Sequence, residues 1–263
     1  MQTWCTAGAG VREAAFDEIK KANTLRHEVT DMIRRAIVTG KLLPGDHLRE
    51  TTIAGQMGVS RSPVREAFRL LEQEGLVESV PNRGCYVKDF DVSDVVEIFV
   101  LRAALESLAC ELLLNHGGLQ DTDFARLQTW VDEQQEAVSA GDFDTLTELD
   151  VKFHEFICER CGSRRLLRMW EGLRAQCEVL FHKRFRILHD HVPPTVVADH
   201  LAILDALRDQ DVQVCARLHR EINDRVMRET IELLGSAEEG ERLRDDNQMR
   251  PTLAALVANA DSR

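Results

Sequence analysis

Two groups of residues in this chain have the types and spacings to do chemistry. Arg61, Arg65 and Arg69 follow one another at intervals of four. A helix with about 3.6 residues per turn sets them on one face that drifts by about 40° per step. Guanidinium groups arrayed in this way are forked donors, matched to phosphate oxygens and to the edges of bases. Asp150 and His154 are also four apart, so both project from one helical face. With His200 they make a carboxylate–imidazole set of the kind that binds divalent zinc, manganese, nickel or iron. The same spacing also belongs to ordinary structural or solvated pairs, and arginines four apart also occur on plain solvated helices. Nothing supplies an activated nucleophile, a paired acid and base, or a glycine loop that cradles phosphate.

The elements that must position the arginines can be read around them. Residues 53–57 suit a short helix, which Gly58-Val59-Ser60 breaks. A second helix follows with Pro63 in its first turn, where the missing N–H is harmless. Ser60 or Ser62 can cap it. Val64, Ala67, Phe68 and Leu71 recur at helical spacing and face a small core, and Gly75 ends the helix. Residues 76–80 and 85–88 read as two strands around Pro81-Asn82-Arg83-Gly84, a tight turn. Two short helices joined by a glycine turn and followed by a hairpin read as a winged helix-turn-helix. Asn82 and Arg83 at the wing tip can meet a phosphate backbone or a minor groove. Upstream, Leu25, Val29, Met32, Ile33, Ala36 and Ile37 describe one face of a further helix, which Gly40 and Pro44-Gly45 terminate.

Beyond Asp89 strand alternation disappears. Helices are expected from Ser93 or Asp94 to His116, from Asp121 or Thr122 to Ala140, and over 145–161, 163–189, 194–208 and 211–234. The fold class is therefore mainly α, an N-terminal winged helix-turn-helix domain plus a C-terminal all-helical antiparallel bundle. The expected divisions are a flexible arm at 1–20, the DNA-binding domain at 21–90, a helical domain at 91–235, and a polar tail at 236–263. Charge divides in the same way. The chain carries a formal −12, yet residues 21–90 hold 11 Lys/Arg and 9 Asp/Glu, against 22 and 36 in the remainder. Seven cysteines without a framework spacing fit reduced thiols, and Cys158-x-x-Cys161 has no second pair to complete a zinc site. His182, His189 and His191 sit on a helix tail rich in Lys and Arg and read as solvated. No apolar run approaches membrane-spanning length and no charged-then-apolar leader opens the chain, so a cytoplasmic protein is expected.

The stretch VSRSPVREAFRLLEQEGLVESVPNRGCYV resembles the winged helix-turn-helix signature of the GntR family of bacterial transcription regulators. The resemblance implies that Arg61 and Arg65 contact double-stranded operator DNA, with Ser60, Ser62, Arg83 and Gly84 beside them and Arg49 as a further contact. Downstream, LRAALESLACELL, LDVKFHEFI and DHLAILDALRDQD resemble the FCD ligand-binding domain of the family's FadR-like branch, over roughly residues 92–232. For the helical domain at 91–235 this resemblance implies effector binding and dimerisation. Arg102 and Glu106 match a recurring Arg and Glu there, either as a structural i,i+4 pair or as an effector contact. That branch holds a divalent metal with an Asp, a His four later and two histidines on the last helices, and the metal receives a carboxylate of the effector. This implies Asp150, His154 and His200 as ligands. The chain departs from the pattern at Ile222, where the last histidine is expected. His219, one turn earlier, can take a neighbouring position. Alternatively the site has three ligands or none, and Arg174 and Arg184 bind the effector carboxylate directly. The expected function is a homodimeric DNA-binding regulator, a repressor, controlled by a small organic acid. The competing reading is a metal-dependent enzyme with a helix-turn-helix appendage.

Overall fold

The computed structural model describes residues 22–188, 192 and 195–237. The expected arm at 1–20 lies outside these residues, as does the expected tail beyond Ala237. In chain order the elements are α1 (Ala22–Val38), β1 (His47–Leu48), α2 (Glu50–Met57), α3 (Arg61–Gln73), β2 (Val77–Val80) and β3 (Gly84–Val87). There follow α4 (Val92–Asn115), α5 (Asp121–Ala140), α6 (Phe143–Arg160), α7 (Arg164–Leu188), α8 (Thr195–Arg208) and α9 (Val212–Ala237).

The N-terminal part is a three-helix core with a wing. Gly58, at φ 66, gives α2 a left-handed C-cap, a conformation that costs glycine nothing. Ser60 takes the N-cap position of α3, although its side chain makes no capping hydrogen bond. Val64, Ala67, Phe68 and Leu71 are buried against Val29, Ile33 and Ile37 of α1. Leu25 and Met32 do not join them; they are 39% and 57% exposed, because the buried stripe of α1 is narrower than its apolar composition. β2 and β3 form the expected hairpin, with Val80 opposite Gly84. A third strand, β1, adds to the outer edge of β3 in the order β1-β3-β2. Two residues are too few to announce a strand by alternation.

The C-terminal part is all helical. α4 opens at an Asp91 cap, whose carboxylate accepts from the Asp94 N–H while Asp94 accepts from the Asp91 N–H. The helix thus starts one or two residues before the expected Ser93 or Asp94, because this reciprocal pair satisfies two otherwise orphaned donors. α4 makes its most extensive packing with α9, and α6 with α7. Trp170, Phe99, Phe153 and Phe185 are fully buried at the centre. All six cysteines among the described residues are free and buried, Cys158 and Cys161 included. His182, expected in solvent, is buried and paired with Asp144 at 2.5 Å.

The two parts touch through α7. Gln176 Nε2 donates to the Glu74 carbonyl at the end of α3 (3.1 Å), and Arg186 Nη1 donates to the Thr39 carbonyl after α1 (3.3 Å).

Candidate functional site

The first candidate surface is the exposed start of α3. Arg61, Ser62, Arg65 and Arg69 are all solvent-facing, as is Ser60 just before them. Glu50, the first residue of α2, lies beside this face. Its Oε2 accepts from Arg61 Nη2 at 2.9 Å and its Oε1 from Arg65 Nε at 2.7 Å. The sequence reading overlooked Glu50, because a partner 11 or 15 residues away leaves no short-range spacing signal. The wing brings Asn82, Arg83 and Gly84 to an exposed tip, with Asn82 at φ 63. Arg49 is exposed between wing and helices, its Nε 3.5 Å from His47 Nδ1. The His47 ring stacks on Tyr86 at 4.7 Å and supports the base of the hairpin.

The second site is a buried polar cluster inside the helical part. It draws Arg102 and Glu106 from α4, Asp150 and His154 from α6, His200 from α8, and His219 and Asn223 from α9. Arg102 is its hub. The guanidinium donates through Nε to Glu106 Oε1 (2.7 Å) and through Nη2 to Asp150 Oδ2 (3.2 Å), and it lies 4.5 Å from the Phe181 ring centroid. Burial by itself would raise the Glu106 and Asp150 carboxyls; the Arg102 charge, together with hydrogen bonding from Arg102 and the neighbouring histidine, outweighs it and holds both below the usual range. Burial drives His154 well below the ordinary imidazole value, and Arg102 adds to the effect, so its ring is neutral.

Among the described residues two triads have ligand atoms close enough to share one ion, Asp150–His154–His200 and Glu106–His154–His219. Their hydrogen bonding separates them. Glu106 is already satisfied, because Oε2 accepts from His219 Nδ1 (2.9 Å) and from Asn223 Nδ2 (3.1 Å) in addition to the Arg102 bond. His219 is partnered at both ring nitrogens, since Nε2 lies 3.2 Å from Cys110 Sγ. In the other triad, His200 Nδ1 bonds the Val196 carbonyl at 2.8 Å, which fixes that nitrogen as the donor. Its Nε2 lies 3.4 Å from Asp150 Oδ1 without an aligned hydrogen bond. His154 Nδ1, 3.1 Å from Glu106 Oε1, is likewise unpaired for want of alignment. A carboxylate and two imidazoles, each with a ring nitrogen that lacks a hydrogen-bond partner, form a donor set that fits a divalent cation.

Beside this triad is a small cavity of about 30 Å³. Arg184, Phe181, Phe185 and Ile222 help to line it. Arg184 is buried and bonds Glu229, yet its Nε has no partner, and neither has Arg102 Nη1. Arg174 is elsewhere. It pairs with Glu155 (3.2 Å) and Glu178 (3.0 Å) in an open cleft between α1, α6 and α7.

The comparisons with known proteins agree with this division of labour. Residues 25–87 match the model of bacterial regulatory proteins of the gntR family, and residues 97–225 match the FCD domain. An uncharacterised HTH-type transcriptional regulator of Bacillus subtilis (strain 168), YdhC, is 30% identical over 69% of this chain and 80% of its own length. A probable D-xylose utilisation operon repressor of Paenarthrobacter nicotinovorans is 30% identical over 73% and 82%. Among solved structures, Escherichia coli McbR/YncC has a TM-score of 0.68 at 25% identity, covering 80% of this chain and 96% of that one. A Rhodococcus regulator reaches a TM-score of 0.67 at 22% identity over 82% of this chain and 100% of that one, a likeness of fold. These relatives are regulators and not enzymes. With a DNA-reading helix and wing in front of a helical domain, and with these matches across both, the chain belongs to the GntR family of bacterial transcriptional regulators and carries an FCD domain.

Proposed function

We propose that this regulator is a cytoplasmic, homodimeric repressor whose operator affinity is set by a small carboxylate held in the buried cluster. A single recognition helix touches too few bases for useful selectivity, so two copies on a pseudo-palindrome are required. Arg61 and Arg65 read the operator with Ser60, Ser62 and Arg49 alongside, while Asn82, Arg83 and Gly84 lie against the backbone or minor groove. Arg83→Ala then weakens binding evenly across sequences. That some relatives are named transcriptional repressors supports the sign of regulation. Among the described residues no helix is long and apolar enough to cross a membrane.

The observation that carries the sensing half is the pair of unpaired imidazole nitrogens in the cluster, His200 Nε2 beside Asp150 and His154 Nδ1 beside Glu106. Asp150, His154 and His200 would hold a divalent ion, which when bound supplies a positive centre for a carboxylate. Arg102 and Arg184 each keep one unpaired N–H at the same cavity, a second attraction for that carboxylate. His219 positions Glu106, and Glu106 in turn holds Arg102. Ile222 leaves an apolar wall where the family pattern has a further histidine.

A thermal-shift screen of divalent metals and organic acids tests this. Saturating metal raises the melting point, by the equivalent of about 2.7 kcal/mol at a hundredfold excess over Kd. His154→Ala and His200→Ala each remove most of that shift, His219→Ala keeps it, and Ile222→His tightens metal binding. No metal shift in the parent protein, with no gain from Ile222→His, would reduce the cluster to a metal-free polar pocket.

A further inference from the structure

Glu50 stands in an unusual place for an acid. It sits on the face that meets polyanionic DNA, where a carboxylate repels phosphate. Nothing about α2 requires it as a cap, because Arg49 occupies that position. Its carboxylate accepts four hydrogen bonds, from Arg61 Nε (3.2 Å) and Nη2 (2.9 Å) and from Arg65 Nε (2.7 Å) and Nη2 (2.9 Å). Two cations one turn apart would otherwise repel and splay. The shared carboxylate draws both guanidiniums into one block and leaves Nη1 of each for an outside acceptor. Hydrogen bonds from Arg65, with the Arg61 bonds adding to them against a small burial cost, bring the Glu50 carboxyl down to about 2, so it stays ionised throughout the physiological range.

We propose that Glu50 is a positioning residue for operator selectivity: by clamping Arg61 and Arg65 together it presents them as one fixed reading head and denies both the freedom to seek phosphates. The inference rests on Arg61 and Arg65 being the operator-reading residues. The trio carries one net positive charge where two free arginines would carry two. Sequence-independent attraction grows with the number of phosphates neutralised, whereas base reading needs a guanidinium fixed opposite its acceptors. A clamp of this kind exchanges the first for the second.

The test measures the affinity of the full-length protein for an operator duplex and for a scrambled duplex over a range of salt. The proteins are the parent, Glu50→Gln, Glu50→Asp and the double variant Arg61→Ala/Arg65→Ala, each checked by its melting point. Glu50→Gln is expected to move the two affinities in opposite directions, weaker for the operator and tighter for the scrambled duplex. The selectivity ratio falls by about tenfold, the loss expected for one misplaced bidentate contact. The salt slope on scrambled DNA steepens by about one phosphate contact. Glu50→Asp keeps the charge and recovers part of the ratio. A parallel rise of both affinities would make Glu50 a mere repulsive acid and overturn the proposal. A parallel fall with a lowered melting point would make it only a fold determinant, with the same consequence. If the double variant loses operator binding while Glu50→Gln keeps parental selectivity, the clamp alone is wrong. If the double variant keeps operator binding, the assignment of the reading helix fails and the clamp with it.

Discussion

Glu106 shows how much one buried side chain can organise. Its two oxygens accept from Arg102, His219 and Asn223, which come from α4 and from two successive turns of α9. A buried carboxylate is stable only with such compensation, and Arg102 would be an uncompensated cation without its acidic partners. Glu106→Ala is therefore expected to cost about 3–5 kcal/mol in urea unfolding, the range for breaking a buried ion pair by removing one member. His219→Ala removes a neutral donor and is expected to cost less, about 1–3 kcal/mol. Equal costs for the two would contradict the hierarchy drawn here. Under the proposed sensing role, the same paired state would leave Glu106 a poorer metal ligand than Asp150, one oxygen of which faces a histidine without an aligned hydrogen bond.

At the scale of elements, α7 is the piece that joins the buried cluster to the winged domain. One turn of it lines the cavity with Phe181, Arg184 and Phe185, while Gln176 and Arg186 bond the ends of α3 and α1. An effector can alter DNA binding only through an element whose position both sites bias. Gln176→Ala combined with Arg186→Ala is expected to cut the effector's influence on operator affinity by about 0.5–2 kcal/mol. Effector affinity itself should change little. Full coupling in that variant, measured as operator Kd with and without metal and acid, would remove α7 from the path. Elements of this kind were largely legible in the chain. Glycine stops and apolar periods located α2 to α9 within a few residues, because both signals are local. What escaped were the shortest local features and the pairing between distant positions. β1 is two residues long, and the Asp91 cap depends on a reciprocal bond with Asp94. The Glu106–His219 bond spans 113 residues, and no spacing rule reaches that far. Ile222, flagged as a lost ligand, does line the cavity, whereas Arg174 lies in a different cleft from Arg102 and Arg184.

For the whole molecule the relevant quantity is where charge and contact area reside. The acidic balance belongs to the helical part, so it does not stand between the reading face and DNA. If the helical part also holds two copies together, a fragment lacking residues 91–263 should bind operator more weakly and ignore the effector. Gel-shift titration of that fragment against the full chain checks both. A fragment that still responds to metal and acid would put the sensor in the wrong half.

The wing carries an evolutionary consequence. Gly84 is at φ 110, and a side chain there would begin 2.5 Å from the His47 ring, so the position admits nothing larger. Asn82 at φ 63 holds a conformation that asparagine and glycine tolerate and most residues do not. Pro81 has its own φ locked. Arg83 is different, since the turn uses only its backbone, which donates to Val80 and accepts from Tyr86. Of the four residues at the tip, Arg83 is the one whose side chain can be exchanged without deforming the turn. As descendants of this regulator diverge, drift in the wing should concentrate at that one codon while its neighbours stay frozen.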